Sequence, residues 1–310
     1  MGKADTVTKE YMRRPDIFAD VFNQFLYHGE QVIRPGDLTE MDTTEIAVPY
    51  GIDNISVPEQ RYRDVAKFLT AMTDGKAAYC ILAVENEDKI NYAMPVKDGL
   101  YDFMQLAKQV SEIARSHKKS ENKVRKPSSD EYLSGFWKDD RLYPVITVVI
   151  YYGADQWDGP LSLKEMYVDC DERLLKYAAD YHVNLIAPGQ LTDEEIDEFQ
   201  TNFREVMKYM KYSKDKEKLR EVIGNDGRFK NLERQAADVI SAVSGTTGIR
   251  YSGKEEKVNM CLAVEEMVIE GVIQADQKRG IPIENTKQYI MEEYDKSEEE
   301  AEKLIRECVQ

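Results

Sequence analysis

The sequence predicts an α/β region followed by an all-helical C-terminal region, and three observations support this. Hydrophobic residues make up 42% and charged residues 32% of the 310 residues, a balance typical of a globular protein. Residues 10–190 mix strand-like and helix-like segments, whereas residues 192–310 carry helical periodicity almost throughout. Tyr143–Tyr152 is dense in β-branched and aromatic residues, as in strands buried on both faces. We therefore divide the chain into residues 11–190 and 191–310.

The N-terminal region contains predicted elements in a clear order. They are a helix at about 15–28 that ends at Gly29, a loop-like stretch at 30–60, strands at Arg61–Thr70 and Ala77–Asn86, a helix at Met94–Lys118, a polar loop at Ser116–Asp140, the strand Tyr143–Tyr152 and a short strand at Tyr181–Ile186. Asp74-Gly75 between the first two strands is a hairpin signal. Apolar residues in the long helix, namely Leu100, Phe103, Ala107, Val110 and Ala114, predict its core-facing side.

The C-terminal region contains two capping boxes. Thr192 with Glu195, and Ser297 with Glu300, have the spacing that begins a helix. Further helices are predicted at about 214–223, 230–243 and 255–278. This region contains no catalytic motif, so we expect it to serve as an oligomerisation or regulatory module, and we expect at least a homodimer.

The charge balance argues against broad contact with nucleic acid. The net charge is −16, from 42 basic and 58 acidic residues, and an acidic surface repels phosphate. One segment is an exception, because it holds six basic residues against Glu121 alone: Arg115, Lys118, Lys119, Lys123, Arg125 and Lys126. This segment is either ordinary solvated surface or a local phosphate contact. The longest apolar run has ten residues, the N-terminus has no signal-peptide core, and the four cysteines have no disulfide or zinc spacing. We therefore expect a cytoplasmic protein without a membrane-spanning segment.

The hairpin places two acids opposite each other. If the turn is centred on Asp74-Gly75, opposed residues have numbers that sum to 149, which pairs Asp64 with Glu85. Glu87 lies on the same strand face as Glu85. Three acids on one face repel one another, and a divalent cation such as Mg²⁺ or Mn²⁺ would neutralise them. The alternative is that these acids face water at the open end of the hairpin, or that a bulge breaks the pairing.

The same residues carry a family resemblance. The segments RYRDVAKFL, YCILAVENEDKINYAMPVKDGLYDF and YPVITVVIYYGADQWDGPLSL occur in order within residues 11–215. Together they resemble the Rpn family of recombination-promoting nucleases and transposases, which belongs to the PD-(D/E)xK nuclease superfamily. The resemblance implies a restriction-endonuclease-like αβββαβ core with a mixed sheet, and a Mg²⁺-dependent DNA endonuclease that acts in recombination, DNA mobility or defence.

The resemblance also implies roles for particular residues. Asp64 and Glu85 would be metal ligands, together with the backbone carbonyl of Asn86. Asp20 matches the position of a helper acid. Lys97 and Tyr101 match a polar stretch on the following helix, where Lys97 would supply catalytic positive charge.

Glu87 departs from the family pattern. The superfamily has Lys at this position and the Rpn relatives usually have Gln, where the side chain orients water or stabilises the charge that develops on the phosphate. A glutamate adds negative charge where the substrate must bind, and Lys89 or Lys97 would have to offset it. Two alternatives to the nuclease therefore stay open: a catalytically inactive DNA-binding or regulatory protein with a nuclease fold, and a metal-binding structural protein.

Overall fold

The computed structural model describes residues 3–41, 44–47, 59–62, 64–73, 76–119, 126–244 and 256–309. Their strands are β1 (Leu38–Glu40), β2 (Thr44–Ala47), β3 (Glu59–Tyr62), β4 (Val65–Thr73), β5 (Lys76–Glu87), β6 (Val145–Tyr151), β7 (Asn184–Ile186), β8 (Leu232–Glu233) and β9 (Lys257–Val258). Their α-helices are α1 (Lys3–Arg13), α2 (Pro15–Tyr27), α3 (Met94–Lys119), α4 (Ser129–Ser134), α5 (Glu172–Leu175), α6 (Asp193–Asp197), α7 (Phe203–Tyr212), α8 (Lys216–Asn225), α9 (Arg234–Val243), α10 (Met260–Arg279), α11 (Ile283–Glu293) and α12 (Glu298–Val309). The predicted α/β class is confirmed, but the prediction that residues 191–310 are all helical is wrong, because β8 and β9 pair there as a two-stranded antiparallel sheet.

The central feature is a mixed five-stranded sheet with the order β1-β4-β5-β6-β7. The pairs β1–β4 and β4–β5 are antiparallel, whereas β5–β6 and β6–β7 are parallel. Val148 and Ile150 of β6 belong to the apolar core on one face, and Val149 and Tyr151 belong to a second cluster on the other face. Burial on both faces explains why this strand is apolar throughout, as its sequence predicted.

The register of the β4–β5 hairpin agrees with the register expected from the sequence. Pairing runs from Val65 opposite Val84 to Thr73 opposite Lys76, and the numbers of each pair sum to 149. The turn at Asp74-Gly75 lies outside the described residues. Because the ladder begins at Val65, Asp64 lies one residue beyond it, at the end of the sheet where β5 continues to Glu87.

The predicted buried side of α3 is wrong, although its predicted bounds are confirmed to within one residue. Leu100, Phe103 and Ala107 are exposed. The side facing the sheet instead carries buried polar residues, namely Asp98, Asp102, Gln105 and Gln109. Hydrogen bonds stabilise this burial: Asp102 accepts from the hydroxyls of Thr147 and Tyr181, both at 2.6 Å, and Gln109 bonds both backbone groups of Tyr143. Buried polar groups with such partners can replace an apolar helix face.

The main apolar core runs from the sheet into the C-terminal helices. It includes Phe18 and Phe22 of α2 as well as Phe203 of α7 and Ile240 of α9. Helix α1, which the sequence did not predict, packs against α9. A separate cluster joins α10, α11 and α12. The division at residue 190 stays a prediction.

Both predicted capping boxes are confirmed. The backbone N–H of Glu195 donates to Thr192 Oγ1 at 3.2 Å, and that of Glu300 donates to Ser297 Oγ at 3.3 Å. Within the described ranges, we find no helix with the length and apolar character needed to cross a membrane.

Candidate active site

Asp64 is held at the end of the sheet by β5 and α1. Its Oδ2 accepts hydrogen bonds from the backbone N–H of Asn86 at 2.8 Å and from the Asn86 side-chain amide at 3.2 Å. Lys9 of α1 places its Nζ 3.5 Å from Oδ1 of Asp64. The carboxylate is therefore fixed beside β5, against the residue that follows Glu85.

Tyr152 orients Asn86. The Tyr152 hydroxyl donates to Oδ1 of Asn86 at 3.0 Å, so the other end of this amide must present its N–H groups, which point to Asp64. Burial, followed by the nearby charge of Asp64, raises the pKa of Tyr152 well above its ordinary value. The hydroxyl therefore stays protonated and remains a donor at any physiological pH.

Glu85 of β5 lies under the start of α3. Only 2% of Glu85 is exposed. Lys97, in the first turn of α3, places Nζ 3.2 Å from Oε2 of Glu85 and 2.6 Å from Oε1 of Glu87. Burial alone would lower the pKa of Lys97, but the two carboxylates outweigh it and raise that pKa above the ordinary lysine value. One ammonium group thus offsets part of the charge of two glutamates.

The backbone carbonyl of Asn86 faces the same side as Asp64. The carbonyl of the next residue, Glu87, accepts from the N–H of Tyr152 on the β6 side. Backbone groups of successive strand residues point to opposite sides, and the N–H of Asn86 already points to Asp64. The Asn86 carbonyl therefore lies at the edge where Asp64 stands.

The donor set suits a hard divalent cation. The carboxylates of Asp64 and Glu85 and the carbonyl of Asn86 are oxygen ligands of the kind that Mg²⁺ and Mn²⁺ prefer. Among the described residues, no group of three or more His, Cys, Asp or Glu side chains has a geometry that could hold a metal. Asp64 is held by Asn86 and Lys9, whereas Glu85 is held by Lys97, so a cation shared by the two carboxylates would have to compete with both lysines.

Other predicted site residues lie elsewhere. Asp20 is buried and accepts hydrogen bonds from the backbone N–H groups of Gln200 and Thr201 at 2.9 and 2.8 Å, and from the Thr201 hydroxyl at 2.6 Å. These contacts tie α2 to the start of α7 and account for both oxygens of the carboxylate. Tyr101 is buried in α3, one turn beyond Lys97.

The predicted basic segment stands at the far end of α3. Arg115, Lys118 and Lys119 are exposed in its last turns, and Lys126 is exposed after them. Lys123 and Arg125 lie outside the described residues. At 1.5 Å per residue, Arg115 is about 27 Å along α3 from Lys97. Within one chain the segment is therefore remote from the acids.

The sequence did not single out Lys9 or Tyr152. Lys9 contacts Asp64 only because α1 folds back onto the sheet, which no local pattern predicts. Tyr152 had a usable signal, because it is the last residue of a predicted strand. Its partner could be chosen only with the parallel β5–β6 register, which pairs Glu87 with Tyr151.

Comparisons with protein-family models, curated proteins and solved structures found no match.

Proposed function

We propose that this protein is a divalent-metal-dependent DNA endonuclease of the PD-(D/E)xK type. The observation that carries the proposal is the position of Lys97, whose Nζ lies within 3.2 Å of both Glu85 and Glu87. The pattern of the nuclease superfamily has a cationic or neutral side chain where this chain has Glu87. Lys97 supplies the positive charge from the neighbouring helix instead.

The order of the elements supports the same proposal. Helix α2, strands β1, β4 and β5, helix α3 and strand β6 follow one another along the chain as αβββαβ, with β2 and β3 forming a separate two-stranded sheet between β1 and β4. Asp64 directly precedes β4 and Glu85 lies two residues before the end of β5, so both are at the same end of the sheet.

Each residue of the site would have a separate role in catalysis. Asp64, Glu85 and the Asn86 carbonyl would hold the cation, which when bound would lower the pKa of a water molecule and polarise the scissile phosphate. Tyr152 and Asn86 would fix the rotamer of Asp64. Lys97 would stay protonated and present its ammonium group to the charge that develops on the phosphate oxygens.

A second candidate has a specific observation in its favour. Lys9 lies against Asp64 and Lys97 against Glu85, so each carboxylate of the donor set already has a cationic partner within the chain. These lysines can neutralise the acids without metal. The protein would then be a catalytically inactive nuclease-fold protein that binds DNA or regulates another process.

A plasmid-nicking assay tests the first proposal against the second. We expect cleavage by wild type in Mg²⁺ or Mn²⁺, none in chelator, and loss of cleavage in Asp64→Asn and Glu85→Gln. Asp169→Asn, which changes an exposed acid, serves as the matched control and should cut normally. Absence of cleavage by wild type, with DNA binding intact, would favour the inactive protein, whereas cleavage that survives both acid substitutions would refute the proposed site.

A further inference from the structure

Helix α3 turns an apolar stripe away from the sheet. Val96, Leu100 and Phe103 are 51%, 39% and 65% exposed, and Ala107 is exposed as well. Their spacing places them on one side of the helix, opposite the buried polar side. A helix packed on a sheet normally buries its apolar side. A contiguous exposed apolar surface of this kind marks a protein interaction site.

Helix α4 and Tyr92, two residues before α3, extend this surface. Gly135, which ends α4, lies against the stripe at Ala114, since a Cβ on Gly135 would stand 2.9 Å from Ala114 Cβ. Tyr132 and Leu133 of α4 are 79% and 83% exposed, and Tyr92 at the other end is 60% exposed. We call the set Tyr92, Val96, Leu100, Phe103, Tyr132 and Leu133 the α3 face.

We propose that the α3 face binds a second copy of this chain, with the two α3 helices antiparallel. In an antiparallel pair centred between Leu100 and Phe103, Leu100 of one copy contacts Phe103 of the second copy. Phe103 of the first copy likewise contacts Leu100 of the second. Tyr132 and Leu133 then lie beside Tyr92 of the second copy. A two-fold dimer needs such a self-complementary surface.

The charges at the two ends of α3 select the antiparallel arrangement. Around its start, the exposed charges are Asp88 and Asp158 against Lys89, and Asp158 accepts a hydrogen bond from the Tyr92 hydroxyl at 2.9 Å. Its exposed end is basic, with Arg115, Lys118 and Lys119 against Glu112. An antiparallel pair brings each basic end to an acidic start, whereas a parallel pair would bring like charges together.

The dimer would also give the basic segment a place near the site. Within one chain, Arg115 is about 27 Å along α3 from Lys97. In the antiparallel pair, the basic end of one copy lies beside the start of α3 in the other, where Glu85 and Glu87 stand. This consequence rests on the proposed function, but the dimer does not, because its test measures mass and not cleavage.

Sedimentation equilibrium of the full chain tests the proposal. We expect wild type to be a dimer at tens of micromolar, and the double variant Leu100→Ser, Phe103→Ser to be a monomer with an unchanged circular dichroism spectrum, because both residues are exposed. The matched control is Leu262→Ser with Tyr289→Ser, which removes two exposed apolar residues of the C-terminal helices. This control should remain a dimer. A monomeric wild type, or a double variant at Leu100 and Phe103 that remains a dimer, would overturn the proposal.

A charge reversal tests the orientation. Lys118→Glu with Lys119→Glu should weaken the dimer by about tenfold or more in dissociation constant. Adding Asp88→Lys and Asp158→Lys to the same chain should restore the dimer. The end of α3, now acidic, would face the start of α3 in the second copy, which is now basic. In a parallel pair the combined variant would still oppose like charges. Failure of this rescue, with the fold intact, would refute the antiparallel arrangement.

Discussion

The ammonium nitrogen of Lys97 lies 2.6 Å from Oε1 of Glu87, and this contact joins the last residue of β5 to the first turn of α3. The same nitrogen is 3.2 Å from Oε2 of Glu85, which is almost fully buried. A buried carboxylate is costly unless it is paired. Lys97 is therefore needed for folding whether or not the site is catalytic, and stability and activity must be measured separately.

Lys97→Gln should destabilise the fold strongly. Removing one partner of a buried ion pair costs roughly 3 kcal/mol. Denaturant unfolding measures this, and Glu85→Gln introduced into the Lys97→Gln chain should restore stability. If Lys97→Gln is as stable as wild type, the ion pair between Lys97 and Glu85 makes no net contribution to the free energy of unfolding.

The pH dependence of that difference follows from the raised pKa of Lys97. A group whose folded pKa is raised contributes its full stabilisation below its unfolded pKa, about 10.4 for lysine, and loses it as the pH rises toward the folded value. The stability gap between wild type and Lys97→Gln should therefore hold through neutral and mildly alkaline pH. It should narrow only above the ordinary lysine pKa. A gap that closes near neutral pH would contradict this assignment.

Tyr152→Phe should loosen the orientation of Asp64. The substitution removes the 3.0 Å hydrogen bond to Asn86 and keeps the ring in the core, so the expected loss of stability is about 1 kcal/mol. If the protein is a nuclease, kcat should fall by about tenfold with little change in KM, which corresponds to about 1.4 kcal/mol in the transition state. Tyr151→Phe, on the opposite sheet face, is the control. If Tyr152→Phe and Tyr151→Phe lower kcat equally, Tyr152 does not position Asp64.

The sequence predicted the β4–β5 hairpin well, because the register of that hairpin follows from a short local turn. Strand alternation and one Asp-Gly signal were enough to place Glu85 and Asp64 at the same end of the sheet. The buried side of α3 could not be predicted in the same way. Its partners Thr147 and Tyr181 are 45 and 79 residues away from Asp102, and only their hydrogen bonds make a buried carboxylate acceptable. Apolar periodicity indicates that a helix has an apolar side, but not what that side faces.

Asp20→Asn should lower the stability of the fold and leave the rate of cleavage unchanged. Its carboxylate accepts two backbone N–H groups at residues 200–201, and an amide would turn a donor toward one of them. We expect a loss of about 2 kcal/mol in the free energy of unfolding. Cleavage per folded molecule should be unchanged in an assay below the melting transition. A selective loss of cleavage would restore Asp20 as a helper acid.

Exchanging Arg115, Lys118 and Lys119 for Ser should weaken DNA binding. Each phosphate contact contributes close to 0.9 to the slope of log affinity against log salt, so three lost contacts would flatten the slope by about 2.7. Fluorescence anisotropy over a salt series measures it. Ser at Lys176, Lys230 and Lys278 gives the same change in net charge at other exposed positions. If both triple variants lose affinity equally, the effect is one of net charge and not of this segment.

Glu87→Gln introduces, at nearly constant volume, the residue usual in the Rpn family that the sequence resembles, and for the proposed nuclease we expect cleavage equal to or faster than wild type. The amide oxygen of Gln can still accept from Lys97, so that side chain keeps its position near Glu85. One negative charge is removed from a partly dehydrated site where an incoming phosphate brings another, and electrostatic repulsion is weakly screened there. Single-turnover cleavage with saturating Mg²⁺, alongside Mg²⁺ titration of the melting temperature, separates chemistry from metal binding. Loss of cleavage with folding and metal binding intact would instead make Glu87 a catalytic group, acting as a general base through its carboxylate.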